Sequence, residues 1–71
     1  MENRFRLKWH DIESERHPTW QTQYIQTIEI VDSHSGLIVE TIEGISKRDG
    51  QQAANEAGRA ARAWIANQRD K

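Results

Sequence analysis

The sequence WQTQYIQTIEIVDSHSGLIVETIE, residues 20–43, predicts a β-hairpin and decides the fold. Residues 20–31 are rich in β-branched and aromatic side chains, which favour a long strand. Residues 32–36, Asp-Ser-His-Ser-Gly, are typical of a tight turn, because an Asp side chain can bond its own backbone and Gly36 can adopt a positive φ. Residues 37–43 are again rich in apolar side chains and predict the returning strand.

The segment before the hairpin predicts a further strand. Residues 4–10 alternate strictly, with Phe5, Leu7 and Trp9 on one face and basic side chains on the other. Such alternation is typical of a half-buried strand. Residues 11–19 are polar and contain the single proline of the chain, and we expect them to form a loop.

The segment after the hairpin predicts one helix over residues 47–67. Ser46 stands three residues before Asp49, which resembles a capping box and places Lys47 and Arg48 in the first helical turn. Cations are disfavoured at that end of the helix dipole, so their presence suggests an anionic partner. Apolar residues recur at helical spacing and predict the buried stripe: Ala53, Ala54, Ala57, Ala61, Trp64 and Ile65.

These elements define an α+β fold of order β-β-β-α, a three-stranded antiparallel sheet with one C-terminal helix packed on one face. Residues 1–71 are expected to form a single small domain. Trp9 and Trp64 are predicted in the core, whereas Trp20 is either a core lid or an exposed stacking platform. The hairpin is predicted to place one apolar set toward the helix: Tyr24, Ile28, Ile30, Leu37 and Val39. A second set falls on the opposite face, where it could pack on the loop or on a second copy of the chain: Ile25, Val31, Ile38 and Ile42.

Composition excludes several classes of protein. The chain has no cysteine, so it can form neither a disulfide nor a thiolate metal site. It contains no apolar run of the roughly 20 residues that span a bilayer and no signal-peptide pattern, so we expect a cytoplasmic protein without a membrane partner. The three histidines lack metal-ligand spacing, and no catalytic, cofactor-binding or metal site is predicted. We therefore expect neither an enzyme nor a small-molecule substrate.

Charge is distributed unevenly along the chain. The net charge is −1, but residues 44–71 carry six bases against three acids, whereas residues 17–43 carry four acids and no Lys or Arg. The basic C-terminal part could bind phosphate groups, or it could be attracted to the acidic middle of the chain.

Residues 17–66 contain a pattern that is found in one known family. His17-Pro18 precedes the hairpin, and Gly44, Ser46, Lys47, Arg48 and Ala53-Ala54 follow it in the order Gly-x-Ser-Lys-Arg…Ala-Ala. This part of the chain resembles the C-terminal part of a double-stranded RNA-binding domain, its hairpin and last helix. The resemblance implies that Lys47 and Arg48 contact RNA phosphates and that recognition is by shape. Gln51 stands at the family's third basic position, and residues 4–10 predict a strand where the family has its first helix.

Two functions therefore remain open for this sequence. The first is a small non-enzymatic module that binds nucleic acid through Lys47, Arg48 and Gln51. In an alternative geometry, a three-stranded sheet enters the major groove of DNA with its open face, which here carries Arg4, Arg6 and Lys8. The second function is a protein-interaction module or homodimer that uses the surplus apolar face or a sheet edge.

Overall fold

A computed structural model describes residues 4–16, 18–19 and 22–69 of the chain. The described residues form an antiparallel sheet and one helix, which confirms the predicted α+β class, although the sheet has four strands instead of three. The expectation for Trp20 lies outside the described residues. In chain order the elements are β1 (Phe5–Trp9), β2 (Glu13–Arg16), β3 (Thr22–Asp32), β4 (Ile38–Ser46) and α1 (Gly50–Arg69).

The first two strands are two parts of one sheet edge. β1 pairs with the C-terminal half of β3, and β2 pairs with its N-terminal half. β4 pairs with residues 24–31 of β3, which overlap both, so β1 and β2 lie together on the other edge. Trp9 is opposite Ile28 and Glu13 is opposite Ile25. Three residues, 10–12, therefore separate the two paired positions on the edge, whereas two residues, 26–27, separate them on β3. Residues 10–12 lie between the two paired segments and interrupt the regular strand pairing along this edge.

Gln26 uses its side chain to bond backbone groups at the point where the pairing of β3 with this edge is interrupted. Its side chain is 3% exposed, and its Nε2 donates to the carbonyl oxygen of His10 at 2.6 Å and to that of Thr27 at 3.0 Å. The N–H of His10 donates to the same Thr27 oxygen at 3.0 Å. A buried amide that is fully hydrogen-bonded avoids the penalty of an unsatisfied polar group, so a polar residue is tolerated in the middle of β3.

The predicted turn between β3 and β4 is confirmed. Gly36 has a φ of 77°, and its N–H donates to the carbonyl oxygen of Asp32 at 2.7 Å. The Asp32 carboxylate accepts from the backbone N–H of His34 at 2.8 Å and from Arg4 at 3.3 Å. The His34 hydrogen bond, with help from Arg4, lowers the pKa of Asp32 below its ordinary value of 3.8. Asp32 is therefore ionised at neutral pH and holds the turn against the start of β1.

The helix begins three residues later than the sequence predicts. The Oδ1 of Asp49 accepts from the N–H of Gln52 at 2.8 Å, so Asp49 is the N-cap and Gly50 the first helical residue. Ser46 instead accepts from the N–H of Arg48 at 3.0 Å, a local turn that ends β4. The prediction that Ser46 caps the helix and that Lys47 lies in its first turn is wrong. Both cations precede the cap, so neither lies within the first helical turn.

Small residues let the helix lie directly on the sheet. Ala53, Ala57 and Ala61 are fully buried, as the alanine stripe predicts, and the helix packs chiefly over β3 and β4. A methyl group on Gly44 of β4 would collide with the Ala53 carbonyl and would lie 2.9 Å from the Ala57 Cα. The backbones of β4 and α1 therefore meet at a point where only glycine fits.

Two isoleucines of β3 form the centre of the core. Ile28 and Ile30 are fully buried and pack against Ala57 and Ala61. Trp64 packs against this cluster as predicted, and its ring meets that of Phe5 edge-on, with centroids 5.3 Å apart. No helix in the described part of the chain has the length and apolarity that a membrane crossing requires.

The two faces of the hairpin differ in part from the prediction. Ile42 is opposite Ile28 and packs against the core, so it belongs to the helix side and its assignment to the surplus face is wrong. A shift of register at Ile30/Val31 leaves Val39 without a partner on β3. The predicted burial of Leu37 and Val39 is also wrong, because they are 66% and 42% exposed.

Candidate functional site

The structure places the first set of predicted site residues at the start of the helix. Lys47 and Arg48 are exposed in the bend between β4 and α1. Gln51 is exposed in the first turn of α1 and lines a groove beside the helix. Lys47 and Arg48 lie two residues or fewer from the N-cap, so all three predicted residues are at the same end of α1.

The second predicted set, on the sheet, is largely paired with acids. Arg4 bonds the Asp32 carboxylate at 3.3 Å and lies 5.5 Å from the centre of the Phe5 ring. The Nζ of Lys8 is 4.0 Å from Glu29, whose carboxylate also lies 3.1 Å from His10. Arg4 therefore has a structural partner, whereas Lys8 makes only a loose pair with Glu29 and its side chain is 68% exposed.

The open face of the sheet is acidic overall. The strand register puts Arg6 and Lys8 on the face away from the helix. Four carboxylates share that face: Glu13, Glu15, Glu29 and Glu43. Phosphate groups are repelled by such a surface, so the geometry disfavours the sheet as a nucleic-acid contact.

A groove of about 450 Å³ runs between the edge strand β1 and the helix. Its volume is within the range of sites that hold small organic ligands. One wall is Trp9 at the end of β1, and the other is one side of α1. The helix contributes Gln51, Ala54, Asn55, Gly58, Arg59 and Arg62.

Trp9 is half exposed in this groove, at 49% of its surface, although its position in the strand predicts a core residue. The prediction is wrong because α1 lies over β3 and β4, drawn there by the close approach at Gly44, and leaves the β1 side partly uncovered. A methyl group on Gly58 would lie 3.2 Å from Cη2 of the indole and 3.9 Å from its Cζ2. The helix thus meets the edge of the ring, and the indole stands beside α1.

The helix side of the groove is rich in hydrogen-bond donors. Gln51, Asn55 and Arg62 share one face of α1, since they are spaced by four and seven residues. Arg59 lies 4.0 Å from Glu56, and the two side chains are 77% and 45% exposed. Such a loose, solvent-exposed pair offsets little of the positive charge of Arg59. Within the described part of the chain, no carboxylate lines the groove and no acid lies within ion-pair distance of Arg62.

Of the residues that line this groove, only Gln51 was predicted from the sequence as a binding residue. A signal was present, because Gln51, Asn55, Arg59 and Arg62 recur at intervals of three or four and Glu56 is the only acid between positions 50 and 69. Trp9 could not be found, because the strand pattern does not show how far the helix extends over the sheet.

Comparisons with protein-family models, with curated proteins and with solved structures find no match to this chain. The described residues also contain no group of three or more His, Cys, Asp or Glu side chains placed to hold a metal ion. The groove offers an indole, two guanidinium groups and two amides. These groups bind planar and anionic ligands and are poorly suited to acid–base or nucleophilic chemistry.

Proposed function

We propose that this chain is a small non-enzymatic module that binds nucleic acid along the groove side of α1. The observation that carries this proposal is that the half-exposed Trp9, Arg59 and Arg62 line one groove without an acid among its described lining residues. Arginine binds phosphate through a planar fork of donors, and an indole stacks on bases.

Lys47 and Arg48 extend this basic surface at one end. Both are exposed and directly precede the cap of α1, and Gln51 follows in its first turn. From Gln51 to Arg62 the helix rises about 16 Å, at 1.5 Å per residue. That length corresponds to roughly five nucleotide steps of 3.4 Å. One strand can therefore contact both ends of the groove.

Because the net charge of the chain is −1, attraction to nucleic acid depends on the local basic groups of the groove. Their contacts with phosphates release counterions, so binding is sensitive to salt. Each neutralised phosphate contributes about −0.7 to the slope of log affinity against log salt for a single strand, and about −0.9 for a duplex. With Lys47, Arg48, Arg59 and Arg62 as the contacts, a slope of roughly −3 is expected.

Reversing the charge of the groove should abolish most of this binding. We expect Arg59→Glu/Arg62→Glu to weaken oligonucleotide binding at low salt by about tenfold or more, because two charge-assisted contacts become repulsive. Both side chains lie on the exposed side of the helix, so the far-ultraviolet circular dichroism should not change. Fluorescence anisotropy of a labelled oligonucleotide measures the affinity.

The matched control is Arg6→Glu/Lys8→Glu, which makes the same change of net charge on the open sheet face. It should lower the affinity only through long-range repulsion, by a few-fold. An equal loss in both double variants would contradict the groove as the binding site. A greater loss in the control would also contradict it and would favour the sheet.

A second candidate function, self-association, is favoured by a different surface. Leu37 and Ile38 are 66% and 52% exposed, and Val39 follows them. Leu37 directly precedes β4 and the other two begin it, and the outer edge of β4 is unpaired among the described residues. Contiguous apolar residues on a free strand edge are a template for pairing with another chain.

Self-association would show as a dimer in analytical ultracentrifugation at high protein concentration. In that case Ile38→Lys should return the protein to the monomer, because a charge at the apolar edge opposes strand pairing. A particle of 8.3 kDa at every concentration tested would reject this second function.

A further inference from the structure

The groove has an aromatic side and a polar, basic side. Its aromatic wall is Trp9, and the opposite wall is the amide and arginine side of α1. At Gly58 the helix backbone approaches the indole, and a methyl group there would lie 3.2 Å from Cη2 and 3.9 Å from Cζ2. Since Trp9 is 49% exposed and lines the groove, its indole is accessible to a planar ligand lying there.

The polar groups around Trp9 match the other parts of a nucleotide. Gln51 and Asn55 each carry an amide that can both donate to and accept from a base edge. Arg59 and Arg62 stand one and four residues beyond Gly58, the point where the helix meets the indole, and carry the positive charge that a phosphate needs.

We propose that the groove takes an unpaired base of single-stranded nucleic acid, stacked on Trp9, with the flanking phosphates on Arg59 and Arg62. This inference rests on the proposed function and narrows its ligand to a single strand. A base in a duplex is stacked on both sides and paired at its edge, so it cannot enter a groove between a strand and a helix. A base in a single strand can turn out and stack on an aromatic side chain.

The first test compares two labelled probes at two salt concentrations, a twelve-nucleotide oligothymidylate and a twelve-base-pair DNA duplex. We expect the single strand to bind more tightly than the duplex. Trp9→Ala should weaken single-strand binding by about tenfold, the usual loss of a base-stacking aromatic, and should leave duplex binding nearly unchanged. Trp9→Phe keeps an aromatic face and should retain most of the affinity.

A second variant separates loss of stacking from loss of folding. Gly58→Ala improves the helix propensity of α1, so its melting temperature should equal or exceed that of the unchanged protein. The added methyl group would lie 3.2 Å from the indole, so Trp9 must shift by a few tenths of an ångström, which changes its position relative to the arginines of the groove. We expect weaker single-strand binding by a protein that is at least as stable.

The outcomes distinguish the two proposals. Duplex binding as tight as single-strand binding, with equal losses for both in Trp9→Ala, would overturn the unpaired base and leave nucleic-acid binding intact. Unchanged single-strand binding in both Trp9→Ala and Gly58→Ala would likewise overturn the stacking role. Absence of salt-dependent binding to either probe would overturn the proposed function itself.

Discussion

Gly44→Ala is expected to destabilise this protein more than any other conservative change, by about 3 kcal/mol or more. Overpacking of a core costs about 1–3 kcal/mol when flexible side chains can yield. Here the new methyl group meets backbone atoms of α1, the Ala53 carbonyl and the nitrogen and Cα of Ala57, which cannot move without lifting the helix. A domain of 71 residues has roughly 4–11 kcal/mol of total stability, so much of it would be lost.

Urea denaturation followed by far-ultraviolet circular dichroism measures this loss. Gly58→Ala is the matched control, because it adds the same methyl group to a buried glycine of the helix, where the neighbour is the movable Trp9 side chain. The control should stabilise the fold slightly. A denaturation midpoint for Gly44→Ala equal to that of the unchanged protein would show that α1 does not lie against β4 at this point.

Ile28→Ala is expected to have the second largest effect, a loss of about 2–5 kcal/mol. Ile28 and Ile30 are the only large side chains among the described residues that are fully buried, so the core cannot redistribute the lost contacts. Ile28 also stands between Trp9 on one neighbouring strand and Ile42 on the other. Removing its methyl groups leaves a cavity under the helix.

Ile38→Ala provides the comparison for this prediction, because the same atoms are removed from a side chain that is 52% exposed. Its loss should be under about 1 kcal/mol, since an exposed site leaves no cavity. Equal losses of unfolding free energy for both variants in chemical denaturation would contradict the position of the core.

Local sequence patterns predicted a helix, strand or turn well where the pattern of apolar or turn-forming residues corresponds to the residues that are buried or that form the turn. The turn ending at Gly36 and the alanine stripe of α1 were both predicted, because each depends on residues close together in the chain. The strand Glu13–Arg16 was missed, because all four of its residues are exposed and it has no apolar alternation. It forms because the long strand β3 extends past β1 and offers backbone groups with which residues 13–16 can pair.

The start of the helix shows why a motif can be read at the wrong position. Ser46 and Asp49 are both good N-cap residues, and the sequence alone does not decide between them. The pairing of Ser46 with Tyr24 extends β4 through Ser46, so the helix can begin only after it. For the same reason, two of the predicted binding residues, Lys47 and Arg48, lie before the helix rather than in its first turn.

The groove itself depends on packing that no local pattern encodes. Gly44 lets α1 approach β4, and that shift leaves Trp9 half exposed on the opposite side of the helix. The sequence showed the periodic arrangement of Gln51, Arg59 and Arg62, but only the position of the helix shows that they face an indole.

The most direct test of the groove as a nucleic-acid site is an NMR titration of the ¹⁵N-labelled protein with the twelve-nucleotide oligothymidylate at low salt. If the groove binds the strand, the indole N–H of Trp9 and the backbone amides of residues 51–62 will shift most, and added salt will reverse the shifts. Shifts concentrated on Arg6, Lys8 and their neighbours on the open sheet face, or no shifts at all, would contradict it.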